Sequence, residues 1–235
     1  MSKVSIIIPS RNEQYLAKTV DDIFEKARGD FEVIVILDEK DQPLKPRKKL
    51  FVYKKKGKPG MKSAINQAVA KAKGKYLLKT DAHCMFGVGF DEILKTDCED
   101  NWVMIPRRYS LNAEEWKFKP NKPIIDYEYF VFPFREITSV RLGGKWYERA
   151  EKRKELLIDE TMVFQGSCWF MTKQHFKNIG GFMDSGTGDD FLLESEEIAF
   201  KTWLSGGKVM TNKKTWYAHF HKPNGQRGYF IDKRL

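Results

Sequence analysis

Residues 4–9, Val-Ser-Ile-Ile-Ile-Pro, form a nearly continuous β-branched run stopped by proline, which suits a strand buried on both faces of a parallel sheet. Ser10-Arg11-Asn12-Glu13 then leads into a helix in which Leu16, Val20, Ile23, Phe24 and Ala27 recur at three- and four-residue spacing, with Gly29 as its stop. A second buried run, residues 31–37, ends in Asp38, and Phe51-Val52-Tyr53 is a short third strand followed by a basic turn over 54–58. Gly60 opens a helix carrying Ala64, Ile65, Ala68, Val69 and Ala72, which Gly74 closes before the strand Tyr76-Leu77-Leu78. Alternation of this kind predicts right-handed βαβ crossovers and a doubly wound α/β half. Ligands of such sheets bind at the carboxyl ends of the strands, where this chain carries Ser10 to Glu13, Asp38 and Asp81 to His83.

Beyond that half, residues 107–160 are rich in aromatic and basic side chains and follow no single period. Regular patterning returns with a predicted strand over 162–171, a short helix over 173–178, Gly180-Gly181, and a helix over 193–204 ended by Gly206-Gly207. The polar tail, 219–235, with Gly225 and Gly228, reads as a flap. Neither a repeat nor a linker interrupts the chain, which predicts one domain over 1–235 in two halves, 1–105 and 106–235.

Composition narrows the class. Apolar residues make up 41% of the chain, an ordinary globular share, and no apolar run approaches the roughly 20 residues that span a bilayer. Three widely spaced cysteines, Cys84, Cys98 and Cys168, lack the paired spacing of a structural zinc site and imply free thiols in a reducing, cytoplasmic setting. The net charge of +10 favours a polyanionic partner: nucleic acid, anionic lipid or a nucleotide diphosphate. Basic and aromatic residues interleave over 45–49, 54–58, 107–109, 146–154 and 213–216, a combination that phosphate-neutralising, base-stacking surfaces use.

The central candidate is Thr80-Asp81-Ala82-His83, directly after the fourth strand. Alternate residues past a strand end can turn a carboxylate and an imidazole toward one point and hold a divalent ion with positions left for phosphate oxygens. His219 and His221 are competing further ligands, and His175, within a short amphipathic helix, reads as structural. The acidic stretch from Asp189-Asp190 to Glu197 also suits a helix start through macrodipole complementarity. Trp203, near that helix's end, reads as a core aromatic as readily as a contact residue.

Pro9-Ser10-Arg11-Asn12-Glu13, Asp38, and Gly60-Met61-Lys62-Ser63-Ala64-Ile65-Asn66-Gln67-Ala68 through Gly74-Lys75-Tyr76 to Asp81 resemble the family 2 glycosyltransferases in order and spacing. Asp81-Ala82-His83-Cys84 is similar to the Asp-x-His motif of polypeptide N-acetylgalactosaminyltransferases. So are Gly166-Ser167-Cys168-Trp169-Phe170, Gly180-Gly181-Phe182-Met183-Asp184 and the helix from Glu194 to Trp203. The resemblance implies a GT-A fold: a Rossmann-like nucleotide-sugar-binding half and a mixed-sheet acceptor half. It implies a UDP-sugar donor and Mn2+ (or Mg2+) held by Asp81, His83 and His219. Pro9, Arg11 and Glu13 would line the nucleotide site, Asp38 would lie near base or ribose, and Lys62 near ribose or phosphates. Family 2 inverting enzymes place a Glu-Asp pair where this chain has Glu194-Ser195, and serine is no general base at neutral pH without strong activation. That departure points to retaining chemistry, with Glu194 orienting hydroxyls and Asp190 as a substitute base. Arg227, in the flap, is the cation available to the diphosphate. The acceptor expectation is DNA bearing a hydroxymethylpyrimidine, flipped from the stack as in bacteriophage DNA modification. The alternatives are a protein hydroxyl or cell-surface glycan precursor, or a non-catalytic nucleic-acid binder.

Overall fold

The computed structural model describes residues 3–133, 141–183 and 193–223. In chain order the elements are β1 (Val4–Ser10), α1 (Leu16–Lys26), β2 (Phe31–Leu37), β3 (Leu50–Lys54), α2 (Met61–Lys71), β4 (Tyr76–Thr80), β5 (Cys84–Phe86), α3 (Phe90–Asp97) and β6 (Trp102–Asn112). They continue with β7 (Lys117–Phe118), β8 (Glu128–Val131), β9 (Arg141–Lys145), α4 (Tyr147–Lys152), β10 (Ile158–Glu160), β11 (Cys168–Thr172), α5 (Lys173–Asn178), α6 (Glu194–Leu204) and β12 (Lys208–His219).

One sheet runs through both halves in the order β10-β12-β6-β11-β4-β1-β2-β3, with β5 paired to β12 and β7 to β6. β3, β2, β1 and β4 are parallel neighbours, and β11 joins the two halves by pairing antiparallel with both β4 and β6. β6 and β12 then run parallel to each other. The β-branched run of β1 is buried on both sides because successive side chains alternate between two cores. Ile6 and Ile8 face Leu16, Val20 and Ile23 of α1, whereas Ile7 faces Ala64, Ile65 and Ala68 of α2. β2 divides in the same way, Val33 and Val35 against Ile34 and Ile36. At about 1.5–3 kcal/mol for each large aliphatic residue removed from water, these two strands anchor the domain.

The glycine stops work through specific contacts. Gly74 enters β4 so close to β1 that a Cβ there would lie 2.6 Å from the Lys3 carbonyl oxygen. Gly206 takes φ +77° at the end of α6, a conformation that a side chain would strain. His175 is buried, its Nε2 3.1 Å from Thr202 Oγ1, in keeping with a structural role.

Two expectations are corrected. The predicted strand over 162–171 is confined to Cys168–Thr172, with a single bridge from Val163 to Glu128 before it. Gly166 and Ser167 interrupt it, their carbonyls being drawn instead to the Lys79 ammonium and the Asp81 N–H. β2 and β3 are joined by a loop without a helix, so the strand–helix alternation is incomplete there. The irregular middle resolves into β6 to β10. Three of its arginines are committed internally, Arg107 to Asp126 at 2.7 Å, Arg108 to Glu128 at 2.8 Å and Arg149 to Asp159 at 3.1 Å, and Lys213 of β12 donates to the Arg153 carbonyl at 2.7 Å. Trp146 of the interleaved runs, together with Tyr127, carries a cation from the same molecule, each ring 5.2 Å from the Arg149 guanidinium. Among the described residues no helix is long and apolar enough to cross a membrane.

Candidate metal and donor site

The parallel strands β1, β2 and β4 end side by side, and each hands a polar segment to the same edge. Asp81 follows β4 and is fixed by its N–H to the Ser167 carbonyl at 2.9 Å. The chain then turns through Ala82 and His83 into β5, which pairs antiparallel with the end of β12 and sets Cys84 opposite His219. Phe220 N–H closes the junction on the His83 carbonyl at 3.1 Å. Two histidines separated by 136 positions thereby meet, Nε2 to Nε2 at 3.1 Å. Asp81 Oδ2 lies 3.4 Å from His219 Nε2 and 3.8 Å from His83 Nε2.

Those three ligand atoms fall within 4.8 Å of one another. Burial pushes the His219 pKa well below its ordinary value, so the ring is neutral with a lone pair to offer. Burial opposes ionisation of Asp81, but the Lys79 ammonium and then the two histidines outweigh it, and its carboxyl stays well below the usual range. His83 presents Nδ1 to Glu13 Oε2 at 3.1 Å, an arrangement that places the proton on Nδ1 and frees Nε2. A His219 ring protonated on Nδ1, an atom buried without a hydrogen-bond partner among the described residues, would add a second lone pair, so that two imidazole nitrogens and one carboxylate oxygen would converge on a divalent cation. The mixed nitrogen and oxygen donors suit a first-row divalent ion.

The other expected site residues divide by location. Glu13 is buried beside the triad, its Oε1 taking the Lys222 ammonium at 2.6 Å. Burial alone would raise its pKa, and the contacts with His83 and Lys222 reverse that and lower it. Asp38 is buried at the end of β2 and its Oδ2 accepts the Gly60 N–H at 2.9 Å, fixing the start of α2. Pro9 sits in β1 opposite Ile36, and Arg11 forms an ion pair with Glu39 at the edge. Lys62 pairs with Glu197 at 2.8 Å, tying α2 to α6. Glu197 also holds Lys201 at 2.7 Å, one turn further along α6. Glu194 is buried at the first position of α6, Oε1 accepting Trp169 Nε1–H at 2.7 Å. Trp203 packs against the core and donates to the Met162 carbonyl at 3.0 Å. Asp190 and Arg227, and the proposed flap beyond residue 223, lie outside the described residues.

Sequence reasoning overlooked Lys79 and Lys222. The signal for Lys79 was present: a lysine within the otherwise apolar strand Tyr76-Leu77-Leu78 must be paired if that strand is buried. It is fully buried, and its ammonium meets Asp81 Oδ1 at 2.8 Å, the Gly166 carbonyl at 2.7 Å and Glu194 Oε2 at 3.0 Å. Lys222 carried no comparable signal, because its contact with Glu13 depends on the β5–β12 pairing.

The Glu13–His83 contact makes a specific prediction. Glu13→Gln keeps the side chain's bulk while removing the charge that orients the imidazole, and is expected to weaken Mn2+ binding by about 10- to 100-fold, measured by isothermal titration. Lys222→Ala, which breaks only the second contact, serves as the comparison. Unchanged Mn2+ affinity in Glu13→Gln would mean that His83 needs no such support.

The model of the family described as glycosyl transferase family 2 matches residues 5–180. No curated protein matches the chain by sequence. Among solved structures, GalNAc-T7 with UDP, GalNAc and Mn2+ is similar at TM-score 0.74 and 17% identity, over 98% of this chain and 45% of its own. S. aureus TarS 1-349 in complex with UDP-GlcNAc is similar at TM-score 0.60 and 13% identity, over 97% of this chain and 62% of its own. At these identities the likeness is one of fold, and this chain spans less than two thirds of either protein.

Proposed function

This chain is a member of glycosyl transferase family 2 with a GT-A fold, and from that premise we propose that it moves a hexosyl or N-acetylhexosaminyl group from a UDP-sugar to a hydroxyl acceptor at the Asp81–His83–His219 centre. The observation that carries the reading is the convergence of those three side chains at the carboxyl edge of β1, β2 and β4, where doubly wound sheets bind nucleotides. The GalNAc-T7 structure holds UDP, GalNAc and Mn2+, and the TarS structure UDP-GlcNAc, which supports the same donor class here. Asp81, His83 and His219 would hold Mn2+ or Mg2+, whose charge offsets the negative charge that develops on a departing diphosphate. Glu13 keeps His83 oriented, and Asp38 fixes the start of α2 beside the nucleotide region. Ser195 in place of an aspartate supports a retaining course; its hydroxyl is engaged with Glu196 at 2.8 Å.

For the acceptor we favour a hydroxymethylpyrimidine in DNA. The reading rests on the +10 charge and on exposed Lys56 and Lys58 after β3, at the edge where β2 also ends. One observation favours a protein or glycan hydroxyl instead: the internal pairing of Arg107, Arg108, Arg149 and Lys213 removes much of the cationic surface expected for nucleic acid.

The deciding assay incubates the protein with Mn2+, a panel of UDP-sugars, and hydroxymethylated or unmodified DNA, followed by digestion and mass measurement of the nucleosides. The expected result is a sugar adduct on the hydroxymethylated nucleoside alone. Donor consumption only with protein or glycan acceptors would favour the second reading. Salt-sensitive DNA binding without consumption of any UDP-sugar would indicate a non-catalytic binder.

A further inference from the structure

Lys79 lies beneath the proposed metal centre with every ammonium proton placed. Three oxygen acceptors surround it, Asp81 Oδ1 at 2.8 Å, the Gly166 carbonyl at 2.7 Å and Glu194 Oε2 at 3.0 Å, matching the three donors of a lysine head group, with Met61 Sδ more distant at 3.9 Å. Its side chain has no exposed surface, and that of Glu194 is 4% exposed. The remaining Glu194 oxygen is committed to Trp169 Nε1–H at 2.7 Å. A strand-borne cation is thus held between the carboxylate after β4 and the carboxylate that begins α6.

We infer that Lys79 is a positioning residue that makes Asp81 a single-oxygen ligand, by engaging Oδ1 and leaving only Oδ2 to face His83 and His219, and that it couples this carboxylate to Glu194. The inference rests on the metal reading above and adds to it a residue that touches neither ion nor donor. Two consequences separate it from a purely structural role. A cation 2.8 Å from a ligating carboxylate opposes the binding of a second cation, so Lys79 holds metal affinity below what the three ligands alone would give. Lys79 also divides its charge between two carboxylates, so neutralising Glu194 strengthens its hold on Asp81, although Glu194 is outside the triad.

The test measures Mn2+ binding to the full chain without donor, by titration calorimetry and by the electron paramagnetic resonance of bound Mn2+, with sugar transfer recorded separately. Lys79→Met is expected to bind Mn2+ at least about threefold more tightly, with a changed resonance line shape as Oδ1 becomes free, while transfer falls at least about tenfold. Glu194→Gln is expected to bind Mn2+ at least about threefold more weakly, and most of that loss should vanish in the Lys79→Met background, the non-additivity expected of coupled groups. If Lys79→Met fails to fold, Glu194→Gln alone decides: unchanged Mn2+ affinity overturns the coupling. Weaker binding in Lys79→Met, falling in parallel with activity, overturns the positioning role and leaves Lys79 a structural ion-pair partner. A wild-type chain that takes up no Mn2+ overturns the metal reading itself, and this inference with it.

Discussion

Asp81→Asn is expected to lower sugar transfer by about 10³-fold or more while the protein remains folded. An ion that offsets charge on a leaving group supplies several kcal/mol of transition-state stabilisation, and each 1.36 kcal/mol is about a factor of ten in rate. Asparagine is preferable to alanine because Asp81 is also a counter-charge for a buried lysine. Alanine would leave Lys79 with Glu194 as its remaining anionic partner and an unfilled hydrogen-bond position, which costs on the order of 1–3 kcal/mol of stability. Asparagine keeps an oxygen at Oδ1 for the ammonium and removes the negative charge that faces the histidines. His83→Ala should produce a loss of the same order. Circular dichroism and thermal unfolding report the fold, and turnover with the active donor reports the chemistry. Near-wild-type turnover in either variant would exclude this centre as the site of transfer.

The parts of the fold legible in the sequence are those in which one physical signal dominates. β1 and β2 are buried on both faces, so β-branched residues fill them without interruption, and α1 and α2 repeat their apolar positions at helical spacing because each covers one face of the sheet. β6 and β12 carry no such signature. β12 places Lys213, Lys214 and Thr215 at an irregularity where its register with β6 shifts between Asn212 and Trp216, so its alternation breaks in the middle of the strand. The expected strand over 162–171 failed for the opposite reason: its apolar residues suit a strand, but the carbonyls around Gly166 serve Lys79 and Asp81 instead of a ladder.

The site was legible in the same uneven way. Asp81 and His83 stand two positions apart and follow a recognisable strand, so their convergence could be argued locally. Glu13 and Lys222 acquire their contacts from side chains 70 and 209 positions away, separations at which no local pattern operates; Lys79 was detectable as a lysine in an apolar strand, but its Glu194 partner is 115 positions away. The internal commitment of Arg107, Arg108 and Arg149 was equally invisible, since a basic run on a solvated face and one facing buried carboxylates have the same composition.

The choice between His219 and His221, left open by the sequence, becomes a quantitative expectation in the structure. His219 is the last residue of β12; its pairing with Cys84 turns the ring inward, 4% of the residue remains exposed, and Nε2 sits 3.4 Å from Asp81 Oδ2. His221 lies past the strand end, exposed, with its ring edge-on to His219 at a centroid distance of 4.6 Å. A ligand contributes through a placed lone pair, and proximity of a second ring cannot replace it. His219→Ala is accordingly expected to weaken Mn2+ binding by about 100-fold, since direct ligation exceeds or equals what supporting contacts around a metal typically contribute. His221→Ala should remain within about threefold of wild type, as surface substitutions generally shift a free energy by no more than about 0.5 kcal/mol. Titration of both variants with Mn2+ in the absence of donor gives the comparison without reference to activity. If His221→Ala showed the larger loss, the tail would bind metal two residues further along, and the β5–β12 pairing that assembles the centre would have to be re-registered.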